Sequence, residues 1–84
     1  MTLADDVKGI DERKQELLKR ISNDFVYHPP KDGQAERYTA LRQHAAGLAK
    51  HIVVDCPSGR EQSLALTKLE EAIFWANAAI ARNE

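Results

Sequence analysis

One cysteine, Cys56, is all the sulfur chemistry that this 84-residue sequence offers beyond a methionine, so no internal disulfide can brace the fold. The three histidines, His28, His44 and His51, stand with Cys56 at no recognised metal-ligand spacing, so no metal is expected either. Excess charge of one sign is also missing. Twelve basic residues face 13 acidic ones, which excludes a protein that coats nucleic acid through a general basic surplus and leaves room for a local anion pocket. No apolar run approaches the roughly 20 residues of a membrane span. Asp5 and Asp6 fall where a secretory leader needs a basic start and an apolar run, so no leader is expected. The lone thiol fits a reducing cytoplasm. A chain this short buries only about 60% of its unfolded surface. With disulfides and metal set aside, self-association is the expected aid to stability.

What is present reads as all-α. The first expected helix covers residues 3–22. Thr2 and Asp5 have capping-box spacing, and Leu3, Val7, Ile10, Leu17 and Ile21 keep a 3/4 alternation interrupted at Lys14. That narrow seam on a charged helix suits a partner helix better than a core. Residues 23–33 break the pattern: tandem Pro29-Pro30 forbids helix continuation and Asp32-Gly33 suits a helix entry, so the segment reads as a hinge. A second helix over residues 34–54 shows the stripe Tyr38, Leu41, Ala45, Leu48 and Ile52, widened by Ala46, Ala49 and Val53. Ser58 and Glu61 again have capping-box spacing, so a third helix starts near Gly59 and runs through Arg82, roughly 36 Å. Leu66, Leu69, Ile73, Ala76 and Ile80 form its stripe, yet Leu64, Ala65, Ala72, Phe74, Trp75, Ala78 and Ala79 put apolar or small groups on its other sides. A helix with one neighbour does not need them. Trp75 is either an interface anchor or the cap of a hairpin core. Helices two and three, of similar length with a short link, predict an antiparallel αα-hairpin that assembles into a helical homo-oligomer.

Catalysis finds little support. The sequence contains no Ser-His-Asp order, HExxH, Walker loop or CxxC. Glu70 and Glu71 are neighbours on a helix and point apart, which reads as solvated surface. Cys56 lies near a helix N-terminus, where thiols acidify, although a structural cysteine before a proline is commoner. Two places suit an anion or a nucleotide. In the first, Tyr27 offers a stacking face, Pro29 and Pro30 a rigid wall, and Lys31, Arg37 and Arg42 offer phosphate partners. The competing reading is that Phe25 and Tyr27 staple helix one to the hairpin. In the second, Gly59 opens a helix N-terminus to an anion, Arg60 adds a bidentate donor and Ser63 a hydroxyl. The competing reading there is an ordinary N-cap. A symmetric oligomer would gather several Arg60 side chains, which repel unless an anion sits among them.

The segments Phe25-Val26-Tyr27-His28-Pro29-Pro30 and Arg37-Tyr38-Thr39-Ala40-Leu41-Arg42, with the long run from Cys56-Pro57-Ser58-Gly59-Arg60 to Trp75-Ala76-Asn77-Ala78-Ala79-Ile80 and the end of the chain, carry a resemblance. Over residues 24–84 the chain resembles the phage anti-CBASS cyclic-oligonucleotide sponges, whose helical hairpin is shared with one class of anti-Thoeris sponge. The resemblance implies a helical hexamer in the cytoplasm of the infected bacterium. It implies that cyclic nucleotide messengers are bound without cleavage and without cofactor, metal, membrane or DNA, so that the host's effectors stay off. It also implies two kinds of pocket. Cyclic dinucleotides would lie between paired protomers, with Tyr27 stacking on a base, Arg42 on phosphate, and His28 and Lys31 alongside. Cyclic trinucleotides would lie on three-fold axes, held by Arg60, Ser63 and the Gly59 backbone. The sponge domain would then be residues 24–84, preceded by a charged amphipathic helix over residues 1–23. Three rivals stand beside this reading: a sponge for ADP-ribose-derived messengers, a structural helical adaptor without a nucleotide ligand, and an enzyme that degrades messengers.

Overall fold

The computed structural model describes residues 11–84 as three helices: α1 Glu12–Asp24, α2 Gln34–Asp55 and α3 Arg60–Asn83. No strand occurs among the described residues. The expected cap pair Thr2 and Asp5, and the seam positions Leu3, Val7 and Ile10, lie outside them.

The single helix expected over residues 3–22 does not run through Asp11. Asp11 is extended, with φ −63° and ψ 164°, and its carboxylate accepts the Lys14 backbone N–H at 2.9 Å. An aspartate that satisfies an orphan donor of the first turn makes a helix start, so α1 begins at Glu12. It runs two residues past the expected end, to Asp24. Leu17 and Ile21, its expected seam, stay about half exposed.

The two later helices form the antiparallel hairpin that the periodicity predicts. On α3 all five expected stripe residues, Leu66, Leu69, Ile73, Ala76 and Ile80, are half-buried. On α2 the seam is Tyr38, Leu41, Ala45, Ala49 and Ile52. Leu48, expected inside, is 52% exposed and Ala49 takes its place. The two positions differ by about 100° around the helix, and the smaller side chain lets α3 come closer. At the closed end, the half-buried Gln62 amide donates to the carbonyls of Cys56 at 3.0 Å and of Ile52 and Val53 at 3.4 Å. The Val53 carbonyl is one that a helix end leaves without an intrahelical partner, whereas the Ile52 carbonyl also accepts the Cys56 N–H at 3.1 Å. Gln62 caps α2 from the neighbouring helix, a contribution of about 1 kcal/mol.

The hairpin lies nearly in the open. No hydrophobic side chain is fully buried among the described residues. The chain measures 56 × 34 × 19 Å, and its radius of gyration is 18.4 Å. A compact domain of this length would have about 12 Å. The 19 Å dimension is about two helix diameters, so most residues have protein on one side only.

Candidate functional site

Residues 25–33 connect α1 to the open end of the hairpin, and both ends of this connection are fixed. On the α1 side, the His28 ring lies with Nε2 2.8 Å from the Asn23 carbonyl, to which it donates as the Nε2–H tautomer. On the α2 side, the Lys31 backbone N–H donates to Gln34 Oε1 at 2.9 Å, and the Gln34 N–H donates back to the Lys31 carbonyl at 3.0 Å. A glutamine reaching back three residues to a backbone N–H is one half of a capping box. Gly33 makes it possible by turning the chain with φ 81°, a conformation that favours glycine.

Gln34 is the one fully buried side chain among the described residues, 3% exposed. Its amide also donates to Glu84 Oε1 at 3.0 Å. Arg37 donates through Nη1 to Glu84 Oε2 at 2.7 Å and through Nη2 to Oε1, and the Lys31 ammonium donates to the Glu84 carbonyl. Glu84 thus joins the end of α3 to the start of α2. These contacts also correct an expectation. Arg37, read from the sequence as a phosphate partner, already has its guanidinium on a carboxylate.

The Glu84 carboxyl is held well below the ordinary range, at about 2, chiefly by the Arg37 hydrogen bond and then by Gln34, with burial acting in the opposite sense. The same bond pushes Arg37 up. A carboxyl depressed in the folded state stabilises the fold above its unfolded pKa and loses that contribution as pH falls through the folded one. The contacts are therefore expected to persist at neutral pH and to open only between about 4.5 and about 2. An NMR titration of the Glu84 carboxyl carbon measures this directly, and a midpoint near 4.5 would mean that the contacts do not form in solution.

Between its two fixed ends the connection offers its aromatics to solvent. Phe25 is 85% exposed and Tyr27 83%. Neither staples α1 to the hairpin, the competing expectation. That attachment is polar: the Asn23 amide donates to the Arg82 carbonyl at 3.0 Å, and the Asp24 carboxylate lies 3.6 Å from both Arg20 and Arg82. Arg82 in turn sits 6.0 Å from the centre of the Trp75 ring, beside a cleft of about 360 Å³ between α1 and α3. Of this cleft Trp75, Ala78 and Ala79 were singled out in the sequence, and the charged side chains of Arg20, Asp24 and Arg82 were not.

Tyr27, His28 and Lys31 share the connection, but Arg42 does not lie with them. It sits two turns along α2, where its Nη2 donates to Thr39 Oγ1 at 3.2 Å. It borders a groove of about 460 Å³ lined by Ala45, Ala49, Leu66, Leu69 and Ile73, with Glu70 opposite. Within one chain, Arg42 borders this groove and Tyr27 is not among its lining residues.

The second candidate lies at the closed end, one helix length away, about 33 Å for the 22 residues of α2. The expected Ser58–Glu61 capping box is absent. Gly59 is the N-cap of α3, at φ 151°, and no side chain satisfies the first-turn donors. That φ favours glycine and turns the chain so that Ser58 is not in the capping position. Arg60 and Ser63 are exposed, and the Ser63 N–H reaches the Gly59 carbonyl at 3.1 Å. This end of the fold, for which the sequence left an anion site and an ordinary cap both open, therefore has first-turn N–H groups without a side-chain cap, a positive helix end and an adjacent guanidinium, the elements of anion binding.

No cluster of three or more His, Cys, Asp or Glu side chains is placed to hold a metal among the described residues. His51 pairs with Asp55 at 3.3 Å on the surface, His44 is exposed, and Cys56 is exposed. No described helix is long and apolar enough to cross a membrane.

A two-helix hairpin that presents aromatic and cationic groups near its ends defines a class of small helical-hairpin modules. Comparison with protein families places the chain within that class: the Acb2/Tad1 hairpin domain matches residues 18–81. The chain belongs to this family, the anti-CBASS and anti-Thoeris sponges. The match takes in the last turns of α1, the aromatic connection and nearly all of the hairpin, so it starts earlier than the resemblance read at residue 24. Curated proteins and solved structures give no match.

Proposed function

We propose that this protein sequesters cyclic oligonucleotide messengers of bacterial anti-phage signalling, in the cytoplasm of the infected cell, and releases them chemically unchanged. The observation that carries the proposal is the exposure of Tyr27 on a connection tied down at both ends. A ring held open to water, on backbone that is already ordered, binds a base at little further entropic cost. The uncapped start of α3 with Arg60 supports a second pocket for phosphates. A sponge needs affinity and abundance and no turnover.

Assembly belongs to the same proposal. Tyr27 is on the connection and Arg42 two turns along α2, which accords with a pocket that takes them from two protomers, as the family resemblance implies. A three-fold arrangement likewise gathers three Arg60 side chains around one ligand. A hexamer satisfies both symmetries.

Titration calorimetry against two cyclic dinucleotides, a cyclic triadenylate and a cyclic ADP-ribose isomer tests the reading. Tight binding with intact ligand recovered after heating is expected. About one-half ligand per chain identifies a pocket shared by two protomers, and about one-third a pocket shared by three. Binding of the ADP-ribose isomer alone would assign the chain to Thoeris messengers. No binding across the panel would sink the sponge and favour a structural adaptor.

A further inference from the structure

The family match ends at residue 81, yet the densest set of polar contacts in the chain is made by a residue beyond it. Glu84 accepts from both Nη atoms of Arg37 and from the Gln34 amide, while its backbone carbonyl takes the Lys31 ammonium. Three of the four segments that meet here belong to residues 31–37. Gln34 is the hub: buried, it holds Glu84 with its amide nitrogen and the Lys31 backbone with its amide oxygen. Lys31 lies four residues after Tyr27, with only His28 and the stiff Pro29-Pro30 pair between them. Proline has a fixed φ and restricts the residue before it, so an anchor at Lys31 is transmitted to Tyr27 with little slack.

We propose that Glu84 is the positioning residue of the Tyr27 pocket, setting from the end of α3 the place at which the tyrosine ring meets its ligand. This rests on the sponge reading above. Glu84 does not touch the ligand. It fixes Gln34 and Arg37, Gln34 fixes Lys31, and the prolines carry that position to Tyr27. Glu84 also neutralises Arg37. The Gly59–Arg60 end lies about 33 Å away and shares none of these contacts.

The test is Glu84→Gln in the full chain, titrated with a cyclic dinucleotide and with cyclic triadenylate, alongside hydrogen exchange of the Lys31 amide. Glutamine keeps the shape of the side chain and loses the charge that Arg37 needs. Dinucleotide affinity is expected to fall about tenfold, the equivalent of leaving roughly one backbone residue to be ordered on binding. Triadenylate affinity should stay within about twofold, and the Lys31 amide should lose protection. Equal loss of both ligands would make Glu84 a general structural residue and overturn the proposal, as would unchanged dinucleotide affinity. Tyr27→Ala separates the two levels of inference. If it leaves dinucleotide binding intact, the Tyr27 pocket itself is wrong. If the wild-type chain binds no dinucleotide, Lys31 protection decides alone, and its persistence in Glu84→Gln overturns the positioning role.

Discussion

Arg60→Ala is expected to abolish binding of cyclic triadenylate, with a loss of about a thousandfold or more. A hydrogen bond to a charged group contributes about 1.5–3 kcal/mol. A ligand on a three-fold axis meets the same arginine three times, so one substitution removes about 4.5–9 kcal/mol. Neither helix stability nor the hairpin seam depends on this side chain, which is exposed and makes no hydrogen bond or ion pair among the described residues. Thermal unfolding of the ligand-free protein should therefore barely move. Calorimetry and a melting curve measure the two effects together. An affinity loss below about tenfold would show that the positive end of α3 binds without the guanidinium, or that the pocket lies elsewhere.

Trp75→Glu should have an effect of a different kind, on size. Trp75 is 65% exposed and its neighbour Phe74 67%, on the part of α3 where Ala72, Ala78 and Ala79 keep the helix surface low. Large rings over a low alanine surface are what an interface anchor needs, and such anchors cost about 2–4 kcal/mol or more when lost. A carboxylate in the same place adds the penalty of a buried, unpaired charge. Sedimentation should show the assembly falling to smaller species, and every pocket shared between protomers should go with it. An unchanged sedimentation coefficient would return Trp75 to the role of a surface ring that stacks on Arg82, 6.0 Å away.

How far the sequence could be read depended on the range of the signal. The α2–α3 hairpin is written in local periodicity: Leu66, Leu69, Ile73, Ala76 and Ile80 are half-buried as their spacing requires. Where two neighbours compete for one seam position, as Leu48 and Ala49 do, hydrophobicity favours the larger and packing distance favours the smaller. Packing won. Ser58 was expected to cap and Asp11 was not, and backbone geometry reversed both. Asp11 caps where a helix was expected to run through it, whereas Gly59 displaces Ser58. The Gln34–Glu84 contact was not legible, because it joins polar residues 50 positions apart that carry no period. Arg37 followed from that omission. A free arginine on paper is a bound one in the fold. For Tyr27 the residues alone left a staple and a stacking platform both open, and only its exposure distinguished them.

The absence of a buried core among the described residues of one chain has a consequence for dosage. If folding is completed only in the assembly, its equilibrium contains a power of the protein concentration, and the melting temperature climbs as the protein accumulates. A dilute chain is then mostly open and vulnerable to proteases, while a concentrated one protects itself. Early in expression the cell would hold little working protein. Past a threshold, each newly made chain would be captured by a stable particle, and binding capacity would rise more steeply than synthesis.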